Sequence, residues 1–224
     1  MKRREFMAMA ASLGVVGFAG PAWSLSESDA AVGVRAAIER GAIAAVGLLG
    51  RTDGFLGNPK VRIDLPGPLA QASGLLKAAG YGRQLDALVT AMNRAAEAAV
   101  PQARTLLVNA AKSMSVEDAL RIVKGGDTSV TDFFARKTRE PLTQQFLPIV
   151  GRATDKVSLA AKYDAVAGRA ARLGLLKERD ADLRGYVTGR TLDGLYLVIG
   201  EQERQMRRDP VGTGSAILRK VFGG

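Results

Sequence analysis

Gly125-Gly-Asp-Thr-Ser-Val-Thr-Asp-Phe-Phe-Ala-Arg-Lys-Thr-Arg-Glu-Pro-Leu-Thr-Gln-Gln-Phe-Leu-Pro-Ile-Val150 is the stretch that decides the fold class. Its first two glycines stop a helix, because glycine tolerates the left-handed conformation that helix ends often need. Asp127, Thr128 and Ser129 then offer side-chain oxygens to the free amides of a new helix, and Ser129 with Asp132 has capping-box spacing. Val130, Phe133, Phe134 and Lys137 share one face of that helix, apolar with a basic end. Pro141 is expected to close this helix or open the next, and Pro148 to kink the run of Leu142, Phe146, Ile149, Val150, Ala153 and Val157.

The same helical spacing extends in both directions. Val34, Ile38, Ala42, Ala45 and Leu49 form a first stripe, opened by Ser26 and Asp29. Further helices are expected over 68–79, stopping at Gly80, over 83–100, and from Pro101 to Met114. Ser115 caps a short helix carrying Ala119, Ile122 and Val123. Beyond residue 157 come a helix ending at Gly174, a short one over 180–187, and a long one starting at Thr188 or Thr191 and ending before Asp209-Pro210. Lys60-Val-Arg-Ile-Asp-Leu65 alternates like a strand, yet no second strand lies near it in sequence. The expectation is an all-α fold: a single compact bundle of eight to ten helices, with an extended segment near 60–65 laid across them. No linker divides residues 25–224, which are expected to form one helical domain.

Composition narrows the chemistry. The 224 residues are 47% hydrophobic and only 5% aromatic, so small side chains must let helices approach closely. Neither cysteine nor histidine occurs. That removes disulfides, thiolate nucleophiles, the commonest general base near neutral pH and the commonest zinc ligand. The Gly-Lys dipeptide of a P-loop is missing, as are Gly-x-Ser-x-Gly and Ser-x-x-Lys. Asp180-Ala-Asp182-Leu-Arg184-Gly185 opens like a calcium loop, but Arg184 and Thr191 stand where ligands belong.

Net charge is +10. Lys2-Arg3-Arg4-Glu5-Phe6-Met7, the uncharged stretch from Ala8 to Ala22, and Ala22-Trp23-Ser24 together have the layout of an export signal of twin-arginine type over residues 1–24. A general secretory signal with two incidental arginines is the plainer reading of the same residues. Cleavage near Ser24 would place the protein in the periplasm with 29 basic against 21 acidic residues and no transmembrane anchor in the mature chain. Such a charge favours anionic partners: an anionic lipid, an envelope glycan or an acidic protein. Nucleic acid is disfavoured, because the basic residues are dispersed without interleaved aromatics.

Candidate ligand-binding residues fall in three places: Asn58, Lys60 and Arg62 in the loop; Asn93, Arg94 and Glu97 on one helix; and Asp127, Thr128, Asp132 and Lys137 around the quoted helix start. Asn93 and Glu97, four apart, form either a buried polar network or a solvated face. Asp127 and Asp132 are the candidate ligands for a hard cation such as calcium, with helix capping as the simpler role; no other cofactor is indicated. Glu201, Glu203, Arg204, Arg207 and Arg208 have the spacing of a solvated, ion-paired face. The function expected is a binding or interaction module for an anionic or amphipathic envelope component. The alternatives are a carboxylate-dependent hydrolase of an envelope polymer, drawing on Glu97, Asp127, Asp132, Asp193 and Glu201, and a calcium-dependent module.

Several blocks appear together and in order: Gly54-Phe-Leu-Gly-Asn-Pro-Lys-Val-Arg-Ile63, Met92-Asn-Arg-Ala-Ala-Glu-Ala-Ala-Val-Pro101, Gly125-Gly-Asp-Thr128, Thr131-Asp-Phe-Phe134 and Asp209-Pro-Val-Gly212. With them the chain resembles a bacterial family known only as domain of unknown function 4197, over essentially all of the chain beyond the signal. The resemblance implies an exported helical protein and brings no catalytic residues with it. An ordinary export signal would be expected in that family, so the paired arginines are a departure.

The only tryptophan is Trp23. Protein recovered from the periplasm is therefore expected to lack indole fluorescence; an indole emission band in that material would contradict cleavage near Ser24.

Overall fold

A computed structural model describes residues 27–156, 158–174 and 182–209. The expected signal over 1–24, its cleavage site and the C-terminal residues 210–224 lie outside the described residues. All regular structure among the described residues is helical, with no strand. The helices are α1 (Glu27–Leu49), α2 (Gly67–Leu76), α3 (Gly82–Ala99), α4 (Ala103–Lys112), α5 (Val116–Lys124), α6 (Ser129–Lys156), α7 (Leu159–Arg172) and α8 (Leu183–Arg208).

Eight to ten separate helices was an overcount. The described residues form six uninterrupted helical runs, because α2, α3 and α4 follow one another without a loop. The join between α2 and α3 is a widened turn over Lys77–Tyr81 bent by Gly80 at φ 89°, and that between α3 and α4 is a tight turn at Val100–Gln102. Pro101 sits in the first turn of this join, where its missing amide costs nothing.

Two further expectations are corrected. α6 runs unbroken through Pro141, which neither closes it nor opens a new helix, and continues through Pro148. The neighbours clamp it: Leu142, Phe146 and Val150 are buried on one side, on the face packed against other helices. Likewise α8 begins at Leu183, not at Thr188 or Thr191. Asp182 caps it by accepting from the Gly185 amide at 2.8 Å, while Thr188 and Thr191 are buried inside the helix.

The start of α6 differs most from expectation. Gly125 is extended (φ −83°, ψ 173°), not left-handed. Glycine is needed there because a Cβ would run into the Ser129 side chain. Ser129 donates its hydroxyl to the Gly126 carbonyl, and Thr128 bonds to Asp132 at 3.2 Å. The free amides of Val130 and Thr131 are taken instead by Glu203 of α8, at 3.1 and 3.3 Å. Glu203 is buried, and Arg207 bonds it from one turn on while also donating to the Ile122 carbonyl at the end of α5. Three helices are therefore tied at one point. The solvated face expected for Glu203 is overturned: a carboxylate caps the dipole of a remote helix more completely than a local hydroxyl could.

One continuous hydrophobic cluster runs through these helices. α8 packs most extensively on α6 and also on α1 and α3. Its approach to the 50–65 loop depends on Gly194, where a Cβ would lie 2.8 Å from the Phe55 ring. Phe55 is fully buried there, and Val61 sits beside it. Gly194→Ala should destabilise the protein by about 1–3 kcal/mol through overpacking. Glu203→Ala should cost about 1–3 kcal/mol for each buried amide it leaves unpaired. Denaturant unfolding checks both: midpoints unchanged from wild type would refute this account of the α8 contacts.

Candidate functional site

Between α1 and α2 the chain makes a long connection with little regular hydrogen bonding of its own. Residues 59–61 form a turn and 62–66 no regular element, so the strand-like pattern at 60–65 yields no strand. Backbone groups in such a segment need partners when buried. α3 supplies them. Glu97 accepts from the Phe55 and Leu56 amides, each at 3.1 Å. Asn93 accepts from the Ile63 amide at 2.9 Å and donates to the Ile63 carbonyl at 2.8 Å, as a neighbouring strand would. Its second amide hydrogen reaches the Val89 carbonyl. Asn93 is fully buried and Glu97 only 5% exposed. Of the two readings of this pair, the structure shows the buried network.

Arg94 completes this corner. It bonds the second Glu97 oxygen at 2.6 Å and reaches Asp53 at 2.8 Å. Asp53 stands at φ 64°, a left-handed position that aspartate accepts better than most residues. These bonds, to Glu97 first and then Asp53, raise the Arg94 pKa above its ordinary value, so its charge is permanent.

The pinned loop presents Asn58, Lys60 and Arg62 at its outer side. Asn58 shapes the turn: its side-chain oxygen accepts from the Lys60 amide, and its carbonyl accepts from the Val61 and Arg62 amides. Arg62 donates to the Leu56 carbonyl at 3.0 Å. Lys60 extends to Glu201 of α8 at 2.6 Å. A cleft of about 390 Å³ opens beside this pair, lined by Lys60, Glu201, Arg204, Gln205, Arg208 and Asp209. Arg204 and Arg208 lie one helical turn apart and make no ion pair with a described residue.

The second group of candidates lies elsewhere on α8's surroundings. Asp127, Asp132 and Lys137 are exposed, and Thr128 bonds only Asp132. The structure thus gathers six of the ten candidates around the loop and α3, and leaves Asp127, Thr128, Asp132 and Lys137 at the start of α6. Among the described residues no group of three or more acidic side chains is placed to hold a metal ion. The carboxylates considered for hydrolysis are dispersed. Both Glu97 oxygens are occupied, Asp193 pairs with Arg139 and Arg190, and Glu201 with Lys60.

The cleft is not legible in the sequence, where the spacing of Glu201, Arg204 and Arg208 reads as a self-paired helix face. One partial signal is present: three basic residues, Arg204, Arg207 and Arg208, against the two glutamates Glu201 and Glu203. With Glu203 turned inward, the outer face is left with cations in excess. The buried pair of Tyr196 and Thr138, whose hydroxyls are 2.9 Å apart, is not legible in the sequence either; Arg139 lies over the Tyr196 ring at 5.1 Å.

The family model described as "Protein of unknown function (DUF4197)" matches residues 24–223, so the chain belongs to that family. No curated protein matches the chain, and no solved structure does.

Burial pushes the Tyr196 phenol above its ordinary 10.0, partly offset by Thr138 and Arg139, and burial likewise raises Tyr186, whose hydroxyl donates to the Asp64 carbonyl. A raised folded-state pKa stabilises the fold in full below the unfolded value; that stability is lost as pH rises through the folded one. Stability should therefore fall as pH rises past 10, and Tyr196→Phe should flatten that fall. Alkaline unfolding followed by tyrosinate absorbance checks this; identical slopes for wild type and Tyr196→Phe would contradict it.

Proposed function

We propose that this protein is a binding module for an anionic component of the bacterial envelope, taken up in the cleft of Lys60, Arg204 and Arg208. One observation carries the reading. Three cations converge on an open cleft, and two of them have no carboxylate partner among the described residues. Glu201 and Asp209 line the same cleft, so the ligand would be a compact anion such as a phosphate or carboxylate group on a larger molecule. Arginine suits that role, since its planar fork matches both groups in two-point contact. Lys60 is the adaptable partner, free to exchange Glu201 for the ligand.

The location belongs to the same proposal. An export signal over residues 1–24, of twin-arginine type, would deliver the chain to the periplasm. In support, the family match starts at residue 24, where that signal is expected to end. Among the described residues no helix is long and apolar enough to cross a membrane.

Titration calorimetry with a soluble phosphorylated glycan tests the cleft. Binding should weaken as salt is raised, since exposed charges are screened. Lys60→Ala, Arg204→Ala and Arg208→Ala should each weaken it by about tenfold or more, the loss of one charge-assisted hydrogen bond. Arg136→Ala, away from the cleft, should leave it unchanged. Affinity insensitive to all three cleft substitutions would end the proposal.

A further inference from the structure

α2 breaks the rule that a surface helix turns a polar face to water. Gly67-Pro-Leu-Ala-Gln-Ala-Ser-Gly-Leu-Leu76 holds no charged residue. Its inner side, Leu69, Ala72 and Leu76, is buried in the core. Its outer side is also mostly apolar: Leu75 is 61% exposed, and Gly74, Ala78 and Ala79 are exposed with it at helical spacing. α2 packs on α7, where Leu173 is 53% exposed one turn beyond Arg169. Arg169 itself lies over the Tyr81 ring at 5.7 Å, which places that turn of α7 beside the α2–α3 bend.

Cations border this edge. Lys77 and Arg83 flank the bend, and Arg169 and Arg172 stand on the last turn of α7. All four are exposed, and none makes an ion pair with a described residue. The nearest acidic groups in sequence are Asp86, just beyond Arg83 and lining a cleft together with Lys77, and Asp164 on α7; neither makes an ion pair with any of the four cations.

We infer that the α2–α7 edge, led by Leu75 and Leu173, docks on an anionic lipid surface, with Lys77, Arg83, Arg169 and Arg172 meeting the headgroups. Apolar side chains ringed by basic ones are the pattern of interfacial helices, which bury a few side chains and add electrostatic attraction. A second copy of this chain fits the edge poorly, since a twofold contact would set the same four cations against their equivalents. The surface is separate from the Lys60 cleft, and neither reading depends on the other.

Site-specific fluorescence tests the inference. Leu75→Trp in a Trp23→Phe background puts the chain's one indole on the edge. The protein is mixed with vesicles of phosphatidylcholine alone, or of phosphatidylcholine and phosphatidylglycerol in equal parts. A blue shift is expected only with the anionic vesicles. Flotation with those vesicles should weaken about fivefold for each of Lys77→Gln, Arg83→Gln, Arg169→Gln and Arg172→Gln, and be lost in Leu75→Asp with Leu173→Asp. Circular dichroism confirms that each variant is folded. Arg136→Gln, outside both the edge and the cleft, should leave flotation unchanged. An unshifted indole, equal binding to both vesicle types, flotation weakened as much by Arg136→Gln as by the edge substitutions, or a blue shift from self-association without vesicles would each overturn the inference.

Discussion

Buried backbone amides that helices cannot satisfy by themselves set the constraint on which this structure depends. Two carboxylates meet it. Glu97 takes the amides of Phe55 and Leu56, and Glu203 those of Val130 and Thr131. Each is almost fully buried and each is joined by an arginine, Arg94 or Arg207. An acceptor that is charged makes stronger bonds than a neutral one, and an arginine beside it offsets the cost of burial. Removing either carboxylate exposes both kinds of cost at once. The two sites have the same logic but different results: one fixes a loop to α3, the other fixes the start of α6 to α8.

These ties explain how a chain poor in aromatic residues holds a long irregular connection in one place. Phe55 contributes a buried ring that fits against Gly194, and Asn93 completes the backbone of Ile63 from the side. The loop then reaches α8 through Lys60 and Glu201. Surface ion pairs of that kind add little to stability, about 0–1 kcal/mol. The position of Lys60 follows from the buried bonds behind it. The inner bonds, not the surface pair, keep the loop in register.

Much of the architecture was legible because helical periodicity and caps are local signals. Ser115 caps α5 as its spacing implies, with the Asp118 amide bonded at 3.0 Å, and the apolar stripes of α1, α3 and α5 are buried. The departures share one cause, namely partners distant in sequence. Asn93 and Glu97 stand among alanines, and α3 is buried around most of its circumference, so no local pattern marked which polar residues face inward. Glu203 spaced four residues from Arg207 gives the same signal whether it faces solvent or a helix start seventy-three residues away. Pro141 and Pro148 are tolerated because packing of the surrounding turns outweighs two lost hydrogen bonds. Of the candidate site, the residue type at Lys60 was readable, whereas its meeting with Arg204 and Arg208 required the fold.

Amide hydrogen exchange, resolved residue by residue, tests the central claim most directly. If buried side chains of α3 hold the loop, the amides of Phe55, Leu56 and Ile63 exchange as slowly as those of the core helices. Asn93→Ala should then release Ile63 while Phe55 and Leu56 stay protected, and Glu97→Ala should do the reverse. Fast exchange at all three amides in the wild-type protein, or equal loss of protection in both variants with α3 intact, would contradict it.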